Sequence, residues 1–282
     1  EYDDVMNSQR EVIYKRRKNA LLGERLKLDI SNMIHDTIFS ILEKYSQNED
    51  EKQLYSDMIM TFSDENLVKD LDLNNIESSL EKLALQLTSS VQNNYYQKLA
   101  RIKDEAFPVI KRIFESNDNS FRNILIPFSD GIKTINIVCD LEKSVNDGGE
   151  SIVKSFEKGI ILACIDKAWK EHLKSMDDLK QSVQGAVYEQ KDPLLIYKFE
   201  SFNLFSSMLE DISTNSLSFL FKANLPNREP KEIKNFQNTK IQGQALRGKE
   251  ERVPLPSSNS NKSIPQNLSR RQRRAQERKM RR

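Results

Sequence analysis

Few side chains in this chain could cut, transfer or ligate anything. The two histidines, His35 and His172, are far apart in sequence, and so are the two cysteines, Cys139 and Cys164. Asp177 and Asp178 are adjacent, on what reads as a helix face. No G-x-x-x-x-G-K-S/T loop is present to cradle phosphates. No G-x-S-x-G elbow or Cys/His nucleophile arrangement is visible either. His172 falls on an apolar helical stripe, which reads as a packed histidine rather than a catalytic one. Asp177-Asp178 reads as a solvated face rather than a metal pair. The segment therefore carries no site of its own for hydrolysing ATP or holding a metal, and its chemistry is mechanical and adhesive.

Three features fit that chemistry. Tyr188 lies beside Gly185 in a loop, outside both flanking apolar stripes. A tyrosine so placed can stack on, or hydrogen-bond to, an extended polypeptide of any sequence; the plainer reading is an ordinary half-exposed loop tyrosine. Trp169, the only tryptophan, reads as an anchor between packed elements. The chain ends in Arg270, Arg271, Arg273, Arg274, Arg278, Lys279, Arg281 and Arg282 against a single acid, Glu277, a net of about +7. Such a stretch can be drawn to anionic lipid, at on the order of 1 kcal/mol per basic residue. It can equally bind RNA by counterion release, or serve only as a solubilising tail.

Helices must position these residues. From Phe156 to Ala223 two stripes follow one another. The first is Ile161, Ile165, Ala168, His172/Leu173, Met176, Leu179 and Val183; the second is Leu195, Phe199, Phe202, Phe205, Leu209 and Ile212. Both repeat every three or four residues, as one face of a helix does. Asp192-Pro193 is a strong helix start, because Asp accepts orphan N–H groups and Pro at the first position loses no needed donor. The stretch is a helical hairpin with its tip near 185–191. Residues 1–45 predict one long helix or two nearly continuous ones, with Gly23 the weak point. Within it the basic run Lys15-Arg16-Arg17-Lys18 reads as a solvated face, or as a contact for an acidic partner. Residues 46–150 are more polar, with helical patterns near 52–62, 64–70, 76–87 and 89–115. Pro108 is expected to kink or divide the last of these. Runs at 121–128 and 132–138 around Asp130-Gly131 predict a small β-hairpin. Pro127 places a strand of it at an edge, and the hairpin must lean on helices to be stable. Asp147-Gly148-Gly149 reads as a hinge. After Ala223 the prolines and glycines spread through polar sequence, as in a linker or disordered tail.

Composition bounds the rest. With 282 residues, 37% hydrophobic and 30% charged, the chain can build a sizeable core but leaves much helix face exposed. A net charge of +2 does not mark the whole chain as a nucleic-acid binder. Two cysteines cannot make a bridge framework, so a reduced, cytosolic compartment is expected. No apolar run approaches the roughly 18 residues that span a bilayer. The start, Glu1-Tyr2-Asp3-Asp4, has no initiator Met and no leader pattern. A segment of a longer chain is expected.

Several blocks together carry a family resemblance. They are Glu1-Tyr2-Asp3-Asp4-Val5-Met6-Asn7-Ser8-Gln9-Arg10, Ala168-Trp169-Lys170-Glu171-His172-Leu173, Met176-Asp177, Tyr188-Glu189-Gln190-Lys191-Asp192-Pro193, Tyr197-Lys198-Phe199-Glu200-Ser201-Phe202 and Met208-Leu209-Glu210. In this order and at these distances they resemble SecA, the ATP-driven motor of bacterial preprotein export, over roughly residues 1–225. The resemblance implies a mainly α fold: a long scaffold helix and a helical hairpin, with a helical wing insertion containing a small β-hairpin, then a disordered basic tail. It divides the chain into a first scaffold helix (1–45), a wing (46–150), a second scaffold part with the two-helix finger (151–223), and a linker with basic tail (224–282). It implies that Val187, Tyr188 and Glu189 at the finger tip meet the preprotein. It further implies the SecY channel, unfolded preprotein and anionic phospholipid as partners, with the ribosome and a second copy of the motor left open. No cofactor is implied in this segment; ATP and Mg belong to the full-length protein, whose nucleotide-binding domains would precede Glu1. The location implied is the cytoplasm and the cytoplasmic face of the inner membrane. The tip reads Gly185-Ala186-Val187-Tyr188 and lacks the Arg of the commoner Leu-Arg-Gly-Tyr pattern. The cysteine-rich zinc tail of many members has no counterpart after His172. A rival from another class is a non-enzymatic helical adaptor whose Arg-rich tail binds RNA or the ribosome.

Overall fold

The computed structural model describes residues 1–23, 25–67, 76–116, 122–183 and 192–226, with side chains from residue 80 onward in the third segment. The expected finger tip with Val187, Tyr188 and Glu189, and the tail with its basic residues 270–282, lie outside the described residues. Contacts divide the chain into Glu1–Ile233 and Lys234–Arg282, and every described element belongs to the first unit.

The element order is α1 (Tyr2–Leu22), α2 (Leu26–Asn48), α3 (Glu51–Phe62), α4 (Ile76–Glu115), β1 (Asn123–Ser129), β2 (Thr134–Asp140), α5 (Leu141–Asn146), α6 (Glu150–Ser182) and α7 (Pro193–Lys222). The expectation of a mainly α fold with one small hairpin holds. The long first helix is two helices. Gly23 adopts φ 73°, and its N–H caps the Asn19 carbonyl; glycine is the residue for which that left-handed turn is cheap. At the start of α3, Asp50 accepts from the Lys52 and Gln53 amides. The helix expected near 64–70 does not form over residues 64–67. Ser63 turns left-handed at φ 54°, and Asp64 accepts from the Asn66 amide in a local turn that competes with helix; residues 68–70 lie outside the description.

Pro108 does not divide α4, which runs unbroken for 40 residues. Proline removes one ladder donor. Leu99, Ile102, Ala106 and Ile110 are buried on the same face across that point, so packing on both sides keeps the helix from dividing there. The hairpin strands begin later than expected. Asp130 accepts from the Ile132 and Lys133 amides, which places Ile132 in the turn, almost fully exposed. Pro127 faces Asn136 in a two-stranded antiparallel sheet, where each strand is an edge. The sheet does lean on helix: Phe128 meets Phe156 of α6 with ring centroids 4.4 Å apart. Ile137 packs over Gly159, where a Cβ would lie 2.4 Å from its Cδ1. At Asp147–Gly149 the chain turns into α6, with Gly148 at φ 63° and Gly149 at φ 93°.

α6 and α7 form the long antiparallel pair, and Asp192 caps α7 by accepting from the Leu194 amide at 2.9 Å. One apolar core joins residues of all seven helices and the hairpin, Ile34, Ile38, Leu42, Met58, Ile160 and Leu220 among them. A smaller separate cluster gathers Met176, Val183 and Tyr197, with Tyr2, Val5, Met6, Leu179, Ile196 and Leu204 against it.

Candidate functional site

α1 lies along the α6/α7 pair and is tied to both. Its side chains meet α6 in descending order: Lys180 pairs with Asp3, His172 with Gln9 and Asp166 with Arg17. They meet α7 in ascending order: Lys198 pairs with Glu1, Ser201 with Gln9 and Ser213 with Arg16. So α1 runs antiparallel to α6 and parallel to α7.

The expected first stripe is buried or half-buried along α6. The second stripe is only partly right. Leu195, Phe199 and Phe202 are 67%, 63% and 68% exposed. The buried face of α7 is Tyr197, Ser201, Met208 and Ile212, with Leu204 and Phe205 half-buried beside it. Two apolar faces compete in this segment, and the tertiary fold turned the one carrying Tyr197 inward. Leu195, Phe199 and Phe202 are spaced four and three apart, so they form one ridge near the N-terminal end of α7.

Tyr197 is the apolar anchor of the clamp. Its ring meets Tyr2 edge-on at 4.6 Å, and the Lys180 ammonium sits 5.7 Å from the Tyr2 centroid. One helical turn along α7 lies a polar layer. The Gln9 amide donates from Nε2 to the Ser201 carbonyl at 3.1 Å and meets His172 Nε2 at 2.9 Å through Oε1. A carbonyl only accepts, so Gln9 must turn its NH2 to Ser201; its oxygen then accepts from His172, which carries its proton on Nε2. Burial holds the His172 imidazole below its ordinary pKa, which favours this neutral form. The expectation of a packed rather than catalytic histidine agrees with that placement. Aromatic rings flank it, Trp169 at 5.6 Å and Phe205 at 5.7 Å. Trp169 is thus half-buried on α6, against the main core, with its ring beside the polar layer.

The run Lys15-Arg16-Arg17-Lys18 is not a uniformly solvated face. Arg17 makes a two-pronged pair with Asp166 at 2.8 and 3.2 Å. Arg16 reaches Ser213 at 3.2 Å, with its pKa lowered by burial against the opposing pull of Asp29 and Asp36. Only Lys15 and Lys18 project freely into solvent. Nothing in the sequence distinguishes the four; which of them faces α6 and α7 is set by the docking of α1.

At the far end of α7 a second set of polar contacts joins α4 to the pair. The Tyr95 phenol donates to Glu157 Oε1 of α6 at 2.9 Å. The Lys98 ammonium donates to the Phe221 carbonyl, among the last acceptors of α7, where a cation also complements the helix dipole. Phe221 packs between Tyr95 and Phe62 at 5.2 and 5.3 Å. Sequence reasoning missed the polar contacts of Gln9, Lys98 and Glu157. Glu157 alone left a signal: a carboxylate on the apolar side of α6, between Phe156 and Ile160.

Among the described residues no group of His, Cys, Asp and Glu could hold a metal, and Asp177 and Asp178 are exposed. No described helix is long and apolar enough to cross a membrane. What the arrangement offers is a braced lever: two long helices held against a third at several points, with an exposed apolar ridge near the N-terminal end of α7.

The comparisons agree with one another. The family described as the SecA wing and scaffold domain matches residues 1–224. A protein translocase subunit SecA of Christiangramia forsetii is 47% identical over 251 residues, covering 89% of this chain and 22% of that protein. One of Flavobacterium psychrophilum is 50% identical over 229 residues, covering 81% and 20%. One of Azobacteroides pseudotrichonymphae is 42% identical over 253 residues, covering 87% and 22%. The chain spans about a fifth of the length of these curated relatives.

Proposed function

The chain belongs to the SecA wing and scaffold family, and on that premise we propose that it is the scaffold, wing and finger of a motor coupling ATP hydrolysis to export of unfolded preproteins through the SecY channel. In this reading residues 1–45 are the first scaffold helix, 46–150 the wing, 151–223 the second scaffold part with the two-helix finger, and 224–282 the linker and basic tail. ATP and Mg bind elsewhere in the full-length protein. The observation that carries the reading is the braced pair α6/α7, fixed to α1 at successive points along its length. Packed helices are stiff, so a displacement of α1 is delivered to the loop rather than dissipated.

Tyr188, with Val187 and Glu189 beside it, meets the preprotein. A phenol ring offers bulk and one hydrogen bond without selecting sequence, which suits a motor for unfolded chains. The ridge of Leu195, Phe199 and Phe202 faces the channel; three large apolar side chains left in water beside a functional loop favour an apolar partner. Trp169 anchors the finger at its polar layer. The motor works from the cytoplasm and the cytoplasmic membrane face. Its basic residues 270–282 hold it to anionic phospholipid or to the ribosome; the second copy of a homodimer is a further partner.

The test uses the full-length protein, channel-bearing vesicles, ATP and an unfolded preprotein. Wild type delivers preprotein into the vesicles. Tyr188→Ala slows delivery with an unchanged melting temperature, and Tyr188→Phe is milder. Delivery by Tyr188→Ala at the wild-type rate removes this residue from the mechanism, and a wild-type protein that delivers nothing removes the motor reading. Co-sedimentation with acidic vesicles, neutral vesicles and ribosomes at two salt concentrations, with and without residues 269–282, separates the anchoring surfaces.

A further inference from the structure

Gln9 is the one polar side chain of α1 that is buried, and it lies between two apolar regions. On one side is the small cluster of Met176, Val183 and Tyr197; on the other is the main core with Ile165, Met208 and Ile212. Along α6 the order is Met176, His172, Ile165, and along α7 it is Tyr197, Ser201, Met208. The Gln9–His172–Ser201 layer therefore interrupts apolar packing at the same level on all three helices. All three members are buried, at 7%, 4% and 1% exposed.

Apolar ridges packed into grooves resist sliding, but the ridges repeat along a helix and apolar contact is non-directional, so aliphatic packing alone does not single out one register from the next. A buried hydrogen-bonding group has one good position. Any slip leaves it unpaired in a dry interior, and buried polar groups have their best-attested use in fixing register. Glutamine has the chemistry this position needs, because one amide offers a donor to the α7 carbonyl and an acceptor to the α6 imidazole. Glutamate keeps only the acceptor and sets a carboxylate against a carbonyl oxygen. Methionine has similar length and neither group.

We propose that Gln9 is the positioning residue that fixes the axial register of both finger helices against the scaffold helix, so that displacement of α1 reaches the finger loop without slip. This rests on the translocation reading above. It differs from that reading in assigning the coupling to one side chain, which touches neither nucleotide nor preprotein.

Two measurements on the full-length protein test it, on wild type, Gln9→Met and Gln9→Glu. The first places spin labels at the exposed positions Lys15 and Ser207 and reads their distance distribution. Wild type gives one narrow distribution. Gln9→Met gives a broadened or two-peaked one, with a component displaced by up to about one helical turn, roughly 5.4 Å. The second reads preprotein delivered per ATP consumed. In Gln9→Met this ratio falls at least several-fold, while ATP turnover and melting temperature stay close to wild type. Gln9→Glu, which keeps the bond to His172 and loses the one to Ser201, is intermediate in both. A narrow wild-type distribution in Gln9→Met overturns the register role whatever the delivery result. An unchanged delivery ratio overturns the coupling role, and so does a parallel collapse of turnover and melting temperature, which marks Gln9 as merely structural. A wild-type protein that delivers nothing overturns the translocation reading alone, since the distance measurement does not depend on it.

Discussion

The Tyr95 hydroxyl of α4 donates to the Glu157 carboxylate of α6 across 2.9 Å, in a setting where Glu157 is only 2% exposed. This bond joins the segment read as wing to the segment read as scaffold. Burial pushes the Glu157 carboxyl above its ordinary 4.5, against the Tyr95 hydrogen bond, which lowers it. The same burial, with the nearby carboxylate, pushes the phenol well above its ordinary range, so the phenol stays the donor.

A native pKa raised above the unfolded one means that the folded state binds the proton more tightly. The corresponding stability is fully present below about 4.5 and is lost as pH rises through the raised native value. Glu157→Gln keeps an acceptor for Tyr95 without a charge. The expected outcome is that urea unfolding shows the variant gaining on wild type as pH rises from about 4 to 7, with no gain at the acid end. Tyr95→Phe strips the carboxylate of its donor and is expected to cost about 1–3 kcal/mol at neutral pH. Parallel pH profiles of wild type and Glu157→Gln would contradict the assignment.

Lys98 titrates in the opposite sense. Burial, with Arg101 adding to it, pushes its amine down to about 8 from 10.5. Between those values the unfolded state binds more protons, so this group's contribution to stability rises with pH from about 8 to 10.5, on the order of 3 kcal/mol in all. The neutral amine still donates to the Phe221 carbonyl. Lys98→Met removes both the rise and the donor. The difference in unfolding free energy between wild type and variant is therefore expected to grow in favour of wild type across that window, and a constant difference would refute it.

Gly159 leaves no room for a side chain. An added Cβ would meet Ile137 Cδ1 at 2.4 Å, yet that atom is the end of a side chain that can shift. Gly159→Ala is expected to cost about 1 kcal/mol, overpacking being offset in part by better helix propensity. Gly159→Leu should cost several times more and expose the β-hairpin to amide exchange ahead of α6. Adding Ile137→Val to Gly159→Ala is expected to recover part of the loss, as a thermal melt would show.

Leu195, Phe199 and Phe202 already stand in water in the chain by itself. Replacing all three by Ser should leave the melting temperature within a few degrees, since exposed positions contribute about ±0.5 kcal/mol each. Under the proposed function the same variant binds channel-bearing vesicles more weakly in co-sedimentation. A large fall in melting temperature would show that the ridge is packed after all.

Local rules carried much of this fold. The caps Asp50 and Asp192, the left-handed Gly23 and the Asp130-Gly131 turn act through bonds within a few residues, so the helix and hairpin boundaries near them were legible within a few positions. The first finger stripe was legible too, because its members recur every three or four residues and all of them are buried or half-buried. The family could be read from residue blocks standing in a characteristic order and at characteristic distances. Three things were not legible, and each depends on a distant segment. Pro108 weakens α4 locally, but packing on both sides of it keeps the helix whole. Leu195, Phe199 and Phe202 form as good an apolar period as the face carrying Tyr197, and only the arrival of Tyr2 and the rest of α1 decides which is buried. Gln9 and Lys98 carry no sign of burial in a charged sequence, and Glu157 only its apolar neighbours Phe156 and Ile160. Their burial follows from partners 192, 123 and 62 residues away, because a hydrogen bond between helices is a property of how they dock and leaves no period in either one.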